Sequence, residues 1–418
     1  MITEILLAQK QELERRLKEA YIPREASLRG LASDQIKVII GPRRAGKSFF
    51  AVHALSRAGS FGYVNLDDER LIGLKEYDSI VTAVNSVYEN PKYLLFDEIQ
   101  NLDKWELLVN RLQRQGYNLV ITGSNSKLLS KELATHLTGR HTQTTIFPFS
   151  FREFLELSGK EPTPNKENEN LEHYLTYGGY PEPYIKKLDY KDYLSTLFSS
   201  IVYKDIIKRH KIRAYQAIED LAAYLITNTA KEFSIAGLAR VTKTKSPRTV
   251  EKYLGFLEES YLFFRIDRFS YKIREQMASN KKIYCIDNGY IYAKVFRISP
   301  DKGRLYENLA AIELKRREAE GSLRVYYWKN DQHEEVDFLI REGASTRELI
   351  QVCCDAGDPK TKEREVRALI KAGKEQNCDK LTIITEDEDD LRTEEWYGTK
   401  KEIRYVPMRK WLLEPEPK

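Results

Sequence analysis

Eight residues, Gly41-Pro42-Arg43-Arg44-Ala45-Gly46-Lys47-Ser48, spell G-x-x-x-x-G-K-S between the apolar run IKVII (36–40) and the helix-like stretch SFFAVHALSRA. That order of strand, glycine-bearing loop and helix is the context a phosphate-binding loop requires. Gly41 and Gly46 let backbone amides turn inward around phosphate oxygens, and the helix start at Phe49 adds positive partial charge. Lys47 would reach the β- and γ-phosphates of ATP, and the Ser48 hydroxyl would ligate Mg2+. YLLFDEIQ (93–100) is an independent sign: four apolar residues run into two carboxylates. Asp97 at a strand end suits the metal shell, and Glu98 suits the orientation and activation of the attacking water. Further on, LVITGSNS (119–126) ends a strand expected beside that of Asp97, so Asn125, or else Ser124, could meet the γ-phosphate or the water. Arg140 precedes the next strand and is a candidate arginine finger for a neighbouring subunit, which implies self-association.

Positioning these groups takes a particular scaffold. Strands expected at 36–40, 61–66, 93–96, 118–122 and 144–147 alternate with helices, which implies a mostly parallel sheet covered on both faces. A charged helix over 2–20, with Ile5, Leu6, Leu13 and Leu17 as its buried stripe, precedes it. Residues 151–230 read as helical, broken at 161–170 and 178–183. The last ~140 residues return to α/β alternation, with strands at 282–287, 323–328, 335–340, 348–354 and 381–385; TEDEDDLRTEE (385–395) reads as a solvated loop.

The order G-P-R-R-x-G-K-S, D-E-I-Q, T-G-S-N-S, G-R and then F-P-F-S-F-R-E-F (147–154) resembles the prokaryotic AAA+-type ATPases that carry a C-terminal restriction-endonuclease-like domain of unknown function. The resemblance spans nearly the whole chain. It implies a P-loop core over 1–150, a helical lid over 151–215, and a lid motif at YGGYPEPY (177–184) that sets Pro181 against the adenine. Read from the residues alone, GGYPEP is a turn that breaks a helix.

Residues 233–269 fit a winged helix-turn-helix, placed within 216–270. Ile235, Leu238, Ala239 and Val241 would pack a first helix, and Pro247 suits the first turn of a second. Val250, Leu254 and Leu257 would bury that second helix, whose start carries Lys243, Lys245, Arg248 and Lys252 where a recognition helix would meet DNA. Between Val241 and Lys282 stand ten Lys or Arg against five Asp or Glu.

Residues 271–418 follow the order of restriction-endonuclease-like folds. Glu307 lies on an acidic helix, Asp337 on one strand and Gln351 on the next, with Cys353 where such sites carry lysine. A neutral amide in place of an acid, and a thiol in place of an ammonium, weaken metal binding and remove the water-orienting cation. The expectation is a catalytically degenerate nuclease-like domain.

With 41% hydrophobic and 31% charged residues, 418 residues support two or three folded domains. The net charge of +5 permits a nucleic-acid partner without demanding one. The four cysteines show no C-x-x-C pairing, which argues against zinc and fits a reducing, cytoplasmic setting. No run approaches the ~18 apolar residues of a membrane helix. The leading expectation is therefore a Mg2+-dependent ATPase acting on DNA. A nucleotide switch acting on protein partners and an ATP-regulated nuclease are the alternatives.

Overall fold

The computed structural model describes residues 2–74, 76–124, 139–158, 164–244, 246–295, 301–321, 323–354 and 359–415. The chain divides into two compact units. One comprises Met1–Phe149 with Tyr184–Lys187 and Glu259–Tyr261, and the other Ser150–Pro183, Leu188–Glu258 and Leu262–Lys418.

The first unit is a five-stranded sheet of β1 (Ile36–Ile40), β2 (Phe61–Asn65), β3 (Tyr93–Asp97), β4 (Asn118–Gly123) and β5 (His141–Thr145), in the order β2-β3-β4-β1-β5. Every pairing is parallel. Strands buried on both faces need apolar residues at odd and even positions alike, and they have them. Val38, Val64, Phe96 and Ile121 face one core, with Ile80 and Val84 of α3 (Tyr77–Val87) and Trp105, Leu108 and Leu112 of α4 (Trp105–Arg114). Ile39, Tyr63, Leu95 and Val120 face the other, with Phe50, Val52 and Leu55 of α2 (Lys47–Ala58). The N-terminal helix α1 (Ile2–Arg16) is shorter than its charge pattern suggested. It buries Ile5, Leu6 and Leu13 as expected, and also Gln9, whose amide bonds the Asn65 backbone in both directions. The fifth strand starts three residues before the expected 144, because Ile36 to Ile40 pair with His141 to Thr145 in register.

The second unit begins with helices. Residues 164–170 belong to the helix Pro164–Tyr177 rather than to a break, and only 178–180 interrupt the path into the short helix Pro181–Lys186. The two helices expected over 233–269 are Ile235–Val241 and Pro247–Glu259. Ser234 caps the first helix by accepting from the Gly237 amide, and Pro247 opens the second. Leu238, Val250, Leu254 and Leu257 are buried, whereas Val241 is 47% exposed and Thr242 is buried in its stead.

A nine-stranded mixed sheet runs through the rest, in the order β13-β14-β12-β11-β10-β9-β7-β8-β6. Its strands are β6 (Lys231–Phe233), β7 (Phe263–Arg268), β8 (Lys281–Cys285), β9 (Leu323–Lys329), β10 (Glu335–Glu342), β11 (Ser345–Val352), β12 (Leu381–Thr385), β13 (Asp390–Trp396) and β14 (Thr399–Pro407). Strands β7 and β8 and the C-terminal strands are joined by the parallel contact of β7 with β9, so one sheet crosses residue 270. The acidic stretch expected as a loop forms the edge strand β13, paired antiparallel with β14 so that Glu394 and Glu395 oppose Lys401 and Lys400.

Candidate functional site

Gly41 leaves β1 at φ 146, and a Cβ there would lie 2.0 Å from the Ile146 carbonyl oxygen, so no other residue fits. Arg44 takes a left-handed conformation at φ 64 and turns the loop into α2, which Gly46 caps. Arg24, to which no spacing in the sequence pointed, clamps the loop. Its guanidinium donates to the Ala45 carbonyl at 2.8 Å and to that of Phe147. Pro42 and Ala45 are buried, Arg43 and Phe49 are half-buried, and Arg44 is exposed. Lys47 is 4% exposed; its ammonium donates to the Pro42 carbonyl at 2.9 Å and stands 4.0 Å from Glu98.

Asp97 ends β3 and is buried. Its carboxylate accepts from Ser48 Oγ at 2.9 Å, from Tyr63 OH at 3.0 Å and from Thr122 Oγ1. Burial and the neighbouring Glu98 charge hold its pKa above the usual carboxylate range, against those three donors. The oxygens of Ser48 and Asp97 are hard donors, and a buried carboxylate so placed gains from a cation; this donor set fits Mg2+. Glu98 sits in the left-handed region at φ 54, its amide donating to Thr122 Oγ1 at 3.0 Å and its carboxylate held by the Gln100 amide. Such a conformation costs on the order of 1–3 kcal/mol in a non-glycine residue and aims the side chain away from the strand axis. Neither Tyr63, Thr122 nor Gln100 had been singled out, although Thr122 lies in the T-G-S-N-S run.

Gly123 pairs with Ile40, so Ser124 stands level with the start of the phosphate loop, and its hydroxyl accepts from Gln100 at 3.5 Å. Asn125 lies outside the described residues, as does Lys245. Arg140 is exposed at the N-terminal end of β5, where its carbonyl accepts from the Ile36 amide. The phosphate loop is at the other end of these strands, roughly 16 Å along them, which leaves Arg140 unable to serve its own loop. Pro181 is buried in the second unit. The glycines before it wrap Asp287: Gly179 donates to Asp287 Oδ2 at 2.8 Å, and a Cβ on Gly178 (φ 74) would meet Oδ1 at 1.7 Å.

Around the helices Ile235–Val241 and Pro247–Glu259, Lys243, Arg248 and Lys252 are exposed and make no ion pair among the described residues. Within 241–282, Arg265 pairs with Glu251 and Glu258 and Lys281 with Asp267; these acids are already in the count, so the positive excess stands.

The largest departure from the count is Lys282. Its ammonium, 2% exposed as a residue, lies 2.8 Å from Glu307, 2.6 Å from Glu335 and 2.9 Å from Asp337. Glu307 and Asp337 thus come together, but the third acid is Glu335. Gln351 spends its amide oxygen on the Asp337 backbone N–H at 3.1 Å, so it is no ligand in waiting. Cys353 is buried in the apolar core with Leu349 and Leu369. A β-bulge in β10 sets two residues, Asp337 and Phe338, against one of β9 and aims Asp337 at the cluster. Burial raises the Glu307 pKa to about 7, helped by Asp337 and opposed by Lys282 and Tyr284.

Residues 33–155 match the family profile of an AAA domain, and 168–302 and 302–410 match two domains of unknown function, DUF8612 and DUF4143. An uncharacterized protein of Methanocaldococcus jannaschii, MJ1544, is 37% identical over 99% of this chain and 95% of its own length. The chain belongs to that protein's family. An uncharacterized protein of Haemophilus influenzae, 29% identical over 78% of this chain and 85% of its own, is similar to it too. Among solved structures, the Walker-type ATPase PABY2304 of Pyrococcus abyssi covers 68% of this chain and 95% of its own at 15% identity and a TM-score of 0.44. The first unit of this family member is an AAA-type P-loop domain in an α/β chain with helical and mixed-sheet regions. Among its described residues no helix is long and apolar enough to cross a membrane.

Proposed function

We propose that the chain is a cytoplasmic Mg2+-dependent ATPase whose nucleotide state controls a DNA-engaging winged helix, with a nuclease-like C-terminal module kept for binding. One observation carries the ATPase reading. Ser48 Oγ meets Asp97 Oδ1 at 2.9 Å, with Lys47 and Glu98 flanking the pair beyond the C-terminal ends of β1 and β3, the two strands on either side of β4. Ser48 and Asp97 would hold Mg2+, which supplies charge neutralisation to the β- and γ-phosphoryl oxygens. Lys47 adds the cation that meets negative charge developing on the transferred group, and loop amides position the phosphates. Glu98 orients the attacking water and accepts its proton. Asn125 is the candidate second contact to that water, Arg140 would complete the site of a second copy, and Pro181 would pack on the adenine.

DNA engagement rests on the exposed Lys243, Arg248 and Lys252 at the start of the second helix, with Lys245 between them in sequence. Changing Lys243, Lys245 and Arg248 together to Ala should weaken duplex binding and flatten its salt slope by up to about three ions' worth. The check is an affinity titration from low to high salt, alongside basal ATP hydrolysis, which should not change. Equal affinity in the triple variant would favour a switch acting on protein partners.

A further inference from the structure

The Lys282 cluster has the form of a cation seat. Three carboxylates from two elements, Glu307 of the helix Lys302–Glu320 and Glu335 and Asp337 of β10, converge on one ammonium. An ammonium has three protons, and each here is taken by a different carboxylate, so none is left to orient a water. Tyr284 OH donates to the same Glu307 oxygen at 2.8 Å, the Val352 amide donates to Asp337 Oδ2 at 3.0 Å, and Lys329 pairs with the other Glu335 oxygen at 3.2 Å. Burial alone would depress the Lys282 pKa, but Asp337, Glu307 and Glu335 outweigh it and hold the proton well above the usual lysine range.

We propose that Lys282 is a tethered cation filling the place where these three carboxylates would otherwise gather a divalent metal, so that the second unit is closed to metal by its own side chain. The geometry supports this on two counts. The oxygens stand 2.6–2.9 Å from the ammonium nitrogen, a few tenths of an ångström beyond the 2.3–2.6 Å of calcium ligation, so a small contraction would suit a free cation. As they stand, no group of three or more His, Cys, Asp or Glu among the described residues is arranged to hold a metal ion. Every group involved belongs to the cluster itself, whether or not the module descends from a nuclease.

The test is Mn2+ binding by the full-length, nucleotide-free chain, followed by EPR of free Mn2+, in the wild type, Lys282→Ala and Lys282→Gln, each with and without Asp337→Asn. The wild type should show no Mn2+ site that depends on Asp337. Lys282→Ala should gain one, about tenfold or more tighter than any wild-type binding there, and its melting temperature should rise with Mn2+. Lys282→Gln, which keeps most of the volume without the charge, should gain a weaker one. Folding of Lys282→Ala only in the presence of Mn2+ would equally support the seat. An Asp337-dependent Mn2+ site in the wild type would overturn the proposal. So would folded Lys282 variants that gain no site, or variants that fold in neither Mn2+ nor EDTA.

Discussion

Lys47 and Lys282 are both buried and both face acidic side chains, and their surroundings differ. Lys47 stands 4.0 Å from one carboxylate and donates to a backbone carbonyl at the mouth of a loop. Lys282 is held by three carboxylates within 2.9 Å. In the proposed function the first meets an anionic ligand with its metal, whereas the second is matched by the protein's own acids. Lysine and acid in proximity are therefore not a site by themselves; what surrounds them decides.

The sharpest way to break this contrast is at Lys47. Lys47→Ala should reduce ATP hydrolysis by about a hundredfold or more, since a preorganised charge aimed at the transferred phosphoryl group is lost. If Arg140 works across an interface, mixing this variant with Arg140→Ala should restore part of the rate, because each copy keeps what the other lacks. Steady-state phosphate release on the separate and mixed proteins decides both points, and full activity in Lys47→Ala would erase the distinction between the two lysines.

Lys282→Met should instead spare hydrolysis and damage the fold. Removing the ammonium strands the buried Asp337 and the half-buried Glu307 and Glu335, and breaking such an assembly costs about 3–5 kcal/mol. Denaturant unfolding in EDTA should show the loss in the second unit, more than Lys47→Ala costs the first. An unchanged midpoint would mean the network contributes nothing.

A smaller effect should appear with pH. Burial raises Asp287 to about 7, against the Gly179 and Gly289 amides that favour its charged form. Its unfolded value is about 3.9, so between these values the native state holds a proton that the unfolded chain has released. Stability from this group is fully present below about pH 4 and is lost as pH rises through about 7. Glu307, also near 7, acts with the same sign. The melting temperature of the second unit should therefore fall from pH 5 to pH 8, and Asp287→Asn should make that fall shallower. A wild-type profile that rises over this range would contradict the assignment.

What could be read in the sequence follows the same division. The phosphate loop and the D-E pair were legible because they are contiguous, and local order dictates their geometry. β1 to β4 were legible because doubly buried strands are uninterrupted apolar runs. The edge strand β13 was not, since cross-strand pairs of glutamate and lysine hold it and no apolar alternation marks it. Lys282 entered the sequence reading only as one of the basic residues of 241–282; only the folding of β8 beside the helix Lys302–Glu320 brings it to acids that lie 25 to 55 residues further along. Gln351 was placed near Asp337, but its role as a brace on the Asp337 backbone depends on side-chain direction that spacing does not fix.

In the proposed ATPase, Asp97 would hold the metal and Glu98 would activate the water. Single-turnover ATP hydrolysis in Glu98→Gln beside the wild type, with nucleotide binding measured on the same samples, separates the two roles. ATP should bind as tightly as in the wild type while hydrolysis slows by about a hundredfold or more, the contribution of a positioned general base. Hydrolysis at the wild-type rate in Glu98→Gln would contradict this division of roles.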